Sequence, residues 1–141
     1  MILVTDANIL VRCCIGHGRV LVGKLRAAGI TLVATEHNAN ECLQVLVKKM
    51  NRPVVDAVVE TALTLKPFEV LGPNEYDLRR ADAALRLREG GQSDWPALAA
   101  ALTLGADIWS DDTDFFGVGV PVWTSMTARK VLLAPASRTN G

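Results

Sequence analysis

Short apolar runs rich in branched side chains recur along this chain, with helical segments between them. That alternation restricts it to few folds. "MILVT" (1–5), "ITLVAT" (30–35), "FEVL" (68–71) and "ADIWS" (106–110) have the length and composition of buried strands. "VPVWT" (120–124) is a weaker fifth run, and its internal proline predicts a sheet edge. In 37–50, Ala39, Leu43, Leu46 and Met50 recur at helical spacing. Pro53 opens a second helix at a position that tolerates proline. Over 74–89, Tyr76, Leu78, Ala81, Leu85 and Leu87 are expected on one apolar side. "SDWPALAAALTLGA" reads as a further helix, with Ser93 as cap, Pro96 in the first turn and Gly105 at the end. The expectation is an α/β chain: one three-layer α/β/α domain with a central, mostly parallel sheet of four to five strands. The domain is expected over residues 1–134, with 135–141 as a flexible C-terminal tail.

Composition fits one core and excludes several partners. The chain has 141 residues with 15 basic and 15 acidic side chains. That balance argues against a strongly basic nucleic-acid wrapper, but not against a local basic groove. No apolar run reaches the roughly 18 residues of a membrane span. The first residues lack the basic flank and cleavage site of a signal peptide. Cys13, Cys14 and Cys42 make a poor disulfide framework and read as buried reduced thiols in a cytoplasmic protein.

Against that even background, "SDDTDFFG" places Asp111, Asp112 and Asp114 within four positions. In parallel α/β sheets, ligands sit beyond the carboxyl ends of the strands. Asp6 ends the first strand, the three aspartates follow the fourth, Asp94 starts the preceding helix, and Glu41 lies early in the helix after the second strand. Each acid alone is ordinary at a turn, helix start or helix face. Gathered at one edge, they need something to offset their repulsion. A divalent cation does so, and hard oxygen donors favour Mg²⁺ or Mn²⁺ over zinc.

"VTDANIL", the acid in "ANECLQVL", "SDWPALAAALTLGADIW" and "SDDTDFFGVGVPVWT" together resemble a PIN-domain protein, in order and over nearly the whole chain. The resemblance implies a metal-dependent ribonuclease of the VapC-like kind, many of which are toxins of toxin–antitoxin pairs. It implies catalytic acids at Asp6, Glu41, Asp94 and Asp112, with Asp114 as an additional metal ligand. Asn8 and Ser110 would orient these carboxylates or the substrate. Glu36 competes with Glu41 for the second acid, and Asp111 with Asp112 for the fourth. The family's habit also implies a homodimer and a possible antitoxin partner.

The expected chemistry is hydrolysis of a phosphodiester by a water activated on one or two Mg²⁺ or Mn²⁺ ions. Arg12, Lys48, Lys49 and Arg52 are weak candidates for phosphate contacts, since cations also suit a helix end. Single-stranded or looped RNA is the expected substrate, because a narrow acidic pocket must reach an exposed backbone. Another Mg²⁺-dependent phosphohydrolase, of the haloacid-dehalogenase kind, would want a second aspartate at position 8, where this chain has Asn8. A non-catalytic metal- or protein-binding module with the same pocket is the other alternative. The valines at 54, 55, 58 and 59 exceed a single stripe, as in a partner surface or a doubly buried helix.

Overall fold

All five apolar runs form strands: β1 (Ile2–Thr5), β2 (Thr31–Thr35), β3 (Phe68–Leu71), β4 (Asp107–Trp109) and β5 (Val122–Trp123). The computed structural model describes residues 1–89 and 91–134, and the tail expected over 135–141 lies outside them. The strands make one sheet in the order β3-β2-β1-β4-β5, and every pairing is parallel. β5 is the edge strand that Pro121 implied, pairing through Ile108–Val122 and Trp109–Trp123.

Side chains alternate across the sheet, so each strand feeds two cores. Leu3, Leu32, Ala34 and Trp109 pack with helices α1 (Ala7–Cys14), α2 (Arg19–Ala27), α3 (Glu36–Lys48) and α4 (Val54–Leu65). Val4, Val33 and Ile108 face the other way, toward α5 (Arg80–Arg86) and α6 (Trp95–Leu104). In α6, six consecutive residues from Pro96 to Ala101 are buried, as for a helix enclosed on most sides. Gly105 ends it in the left-handed conformation, φ 62°, at a position where a side chain would be strained. The result is the expected α/β/α sandwich.

Two local expectations need correction. Residues 74–89 are not one amphipathic helix: tight turns at Pro73–Glu75 and Asp77–Arg79 precede the short α5. A turn with three residues per revolution resets the helical phase. Tyr76, Ala83 and Leu87 are therefore buried, whereas Leu78 and Leu85 are 96% and 86% exposed and Ala81 is also exposed. At the start of α6 the capping position belongs to Asp94, not Ser93, because a turn at Gln92–Asp94 leads into the helix.

Strand order decides where a site can form. From β1 the chain runs outward through β2 to β3, then returns to place β4 on the other side of β1. The carboxyl ends of β1 and β4 therefore border the crevice where the winding direction reverses, which is the usual ligand position in an open α/β sheet.

Candidate active site

Register brings the first two groups together. Thr5 pairs with Trp109, so the next residues, Asp6 and Ser110, leave adjacent strand ends side by side. Asp6 caps α1: one carboxylate oxygen accepts from the Ile9 amide at 3.0 Å, the other from the Ser110 hydroxyl at 2.5 Å. Ser110 Oγ in turn accepts from the Asp112 amide at 2.9 Å, and Asp112 Oδ1 accepts from the Asp114 amide at 2.9 Å. A single relay thus runs from Asp6 to Asp114. It turns the loop after β4 so that Asp112 and Asp114 face Asp94, and one carboxylate oxygen from each of these three lies within 4.8 Å of the others.

Glu41 arrives from α3. Its Oε1 accepts from Asn38 Nδ2 and lies near His37 Nε2, both at 3.1 Å. Asn38 is itself buried and fixed by Thr35, whose hydroxyl caps α3 by accepting from the Asn38 amide and donates to the side-chain oxygen Oδ1 of Asn38 at 2.9 Å. The Thr35–Asn38 pair orients Glu41 from the end of β2, and the sequence reading did not single it out. Its only signal there is a Thr cap candidate three residues before an Asn, which lies three before an acid. Gly91 was also missed. A Cβ there would stand 3.1 Å from Asp114 Cγ, so glycine gives that carboxylate its room.

Electrostatics measure how closely the acids crowd. Burial and then the charges of Asp112, Asp6, Asp114 and Glu41 push the Asp94 carboxyl up to about 7. Burial pushes Asp6 up to about 6, against the bonds from Ser110 and Ile9 that hold it down. Five carboxyl groups from four separate chain segments therefore share one field. Glu36 is outside this group; its carboxylate lies 3.7 Å from where a Cβ on Gly72 would stand.

Asp111 is bonded elsewhere, although its charge still adds to the rise at Asp6. Its carboxylate accepts from the Ser125 amide and hydroxyl at 2.7 and 2.8 Å and pairs with Arg12 at 2.8 Å. Arg52, in the connection between α3 and α4, pairs with Glu60 of α4. Asn8, Arg12 and Lys49 line a groove of about 650 Å³ that reaches Asp112 and Thr113. Lys48 is exposed at the last position of α3.

The donors in the cluster are hard oxygens without a cysteine among them, which suits a divalent cation bound by carboxylates. The chain as a whole also fits a known family: a family model described as PIN domain matches residues 4–132. The chain belongs to the PIN-domain family. PIN domains are generally nucleases that use divalent metals, and in this PIN domain the acids gather at the sheet's reversal point. A search among curated proteins finds no match. Among the described residues, no helix is long and apolar enough to cross a membrane.

Proposed function

We propose that this PIN domain is a Mg²⁺- or Mn²⁺-dependent endoribonuclease acting on single-stranded or looped RNA. The observation that carries this reading is the convergence of Asp6, Glu41, Asp94, Asp112 and Asp114, felt most strongly in the raised pKa of Asp94. Bare carboxylates would repel a phosphodiester, so the site suits that substrate only with a cation in it. Asp94, Asp112 and Asp114 would hold the ion, with Asp6 and Glu41 as further ligands, directly or through water. When bound, the ion supplies Lewis-acid activation of water and offsets charge on the phosphate.

The chain's own groups do the rest. Ser110 fixes the rotamer of Asp6 and the loop of Asp112, and Asn38 fixes Glu41. Asn8 and Lys49 line the groove that leads from the acids and would receive the flanking phosphates, with Arg12 beside them, paired to Asp111 until a phosphate competes for it. Lys48 is exposed one position before Lys49, whereas Arg52 is engaged with Glu60.

The reading extends to partners. A toxin of this kind would be held inactive by an antitoxin presenting a cationic side chain to the acids. The exposed valines of α4 support a homodimer, and the free, buried thiols of Cys13, Cys14 and Cys42 fit a cytoplasmic compartment.

The test is cleavage of a mixed-sequence single-stranded RNA by purified protein, with Mn²⁺ and with chelator, beside an Asp94→Asn variant. Metal-dependent cutting that disappears in the variant is expected. Absence of cutting by the wild type across varied RNAs, with metal still bound, would instead favour the non-catalytic pocket.

A further inference from the structure

Beside the acid cluster lies a group of side chains that the chemistry above does not use. Trp95 follows Asp94 directly, and its half-buried indole packs at a tilt on the buried Tyr76, with ring centroids 5.8 Å apart. His37 stands 6.4 Å from the same indole and touches Glu41, so this aromatic group shares an edge with two of the acids. Arg80 lies over the indole, its guanidinium carbon 4.7 Å from the ring centroid.

Charge sets Arg80 apart from its neighbours. Arg79 and Arg86 both bond to Asp82, at 2.6 and 2.9 Å, so their guanidinium groups are held by a shared carboxylate. Arg80 is exposed, and among the described residues no carboxylate lies within ion-pair distance of it. Its position comes from the ring instead, which attracts the cation and limits where the long side chain can go. A planar cation held in place over an aromatic ring, with its outer side in solvent, is the kind of surface on which an unpaired base stacks.

We propose that Arg80, seated over Trp95 beside Glu41 and Asp94, is a stacking ledge for the base of the nucleotide adjoining the scissile phosphodiester. This rests on the nuclease reading and adds to it a means of gripping a strand whose bases are unpaired. A duplex keeps its bases stacked on one another, so the ledge favours single strands. Because every base has a π-face, it selects for a base without selecting which one.

The experiment compares binding of two fluorescein-labelled oligomers of equal length in Ca²⁺, a mixed-sequence single strand and an abasic phosphodiester chain, with ribose and deoxyribose versions of each. The proteins are wild type, Arg80→Gln, Arg80→Lys, Trp95→Phe and the control Leu85→Ala, a site 86% exposed. Wild type and Leu85→Ala are expected to bind the base-bearing strand about tenfold more tightly than the abasic one. Both Arg80 variants should lose most of that preference, Arg80→Lys included, although it keeps the charge. Trp95→Phe, which preserves an aromatic ring, should retain much of it.

The readout is the ratio between oligomers, which a purely electrostatic role for Arg80 would not move. Equal binding of the two oligomers by wild type, failure to bind either, or a full preference surviving in Arg80→Lys would overturn the ledge. A parallel incubation in Mn²⁺ separates the two readings. Cutting without base preference leaves the nuclease and removes the ledge. Base preference without cutting removes the nuclease and the link to a scissile bond, and leaves Arg80 as a stacking surface for bound single strands.

Discussion

The hydroxyl of Ser110 donates to the Asp6 carboxylate while accepting from the amide of Asp112, so one side chain couples the end of β1 to the loop after β4. Both groups it serves depend on it. Replacing Ser110 with Ala leaves a buried carboxylate oxygen and a part-buried amide each short of a partner. The loss is expected to cost on the order of 1–3 kcal/mol of stability, read by urea denaturation of the metal-free protein. Asp6 should also rise further in pKa, since the Ser110 bond is among those holding it down. Mn²⁺ affinity, measured by calorimetry, should fall roughly 10- to 100-fold, as for other groups that orient ligands. Unchanged affinity would remove Ser110 from any role in arranging the site.

Acid crowding makes a prediction about pH. Asp6 and Asp94 have folded-state values raised to about 6 and about 7 from an ordinary 3.8. The folded protein therefore binds more protons than the unfolded chain between those limits, and stability falls as pH rises. Their favourable contribution is full below about pH 4 and is lost as pH passes through 6 to 7. For the buried Asp6 alone the change is on the order of 2–3 kcal/mol. Metal competes with these protons, so the rise in Tm on adding Mn²⁺ should be small at pH 5 and larger at pH 7.5. Asp94→Asn should flatten the pH dependence of the metal-free Tm. A shift in Tm that is equal at both pH values would mean that Mn²⁺ binds elsewhere.

How much of this was legible in the sequence follows from what each signal depends on. The strands were legible because buried parallel strands need continuous apolar runs, and "FEVL" gave β3 at its observed bounds. The carboxyl-end placement of Asp6 and Asp112 followed from the strand ends alone. The choice between Asp111 and Asp112 did not, because it depends on where Ser125 lies after the chain has crossed to β5 and turned back. The same holds for Asn38 and Gly91, whose importance lies in contacts with Glu41 and Asp114. The 74–89 stripe failed because helical periodicity assumes one unbroken helix, and the turn at Asp77–Arg79 breaks the phase.

That adjacent pair of aspartates can be separated by substitution. Asp111→Asn keeps a side-chain oxygen for the cap at Ser125 but loses the charge facing Arg12. In the cleavage assay proposed above it should keep most of the wild-type rate, and it should change Tm little, because the ion pair is largely exposed. Asp112→Asn removes a charge from the cluster around Asp94 and is expected to abolish cleavage. It should also lower the pKa of Asp94, so the metal-free protein should become more stable at pH 7.5. Equal losses of cleavage in the two variants would contradict the division of roles.

Helix α4 resolves the two readings of its valines. Val54, Val55, Val58, Val59 and Leu63 are each between 47% and 72% exposed, so the helix is not doubly buried. Only Ala57, Thr61 and Thr64 are buried along it, and they face α1 and α3. Water against so many branched side chains on one helix favours covering them, at roughly 25 cal/mol per Å² of apolar surface removed. Self-association through this face is therefore expected, as a dimer in sedimentation equilibrium at micromolar concentration. Val55→Glu combined with Val59→Glu should give a monomer. Because both sites are exposed in the monomer, the substitutions should leave its intrinsic fold intact, with near-unchanged stability once the concentration dependence is removed. A wild type that stays monomeric at high concentration would leave the face without a self-partner. A double variant that stays dimeric would place the dimer interface on another surface.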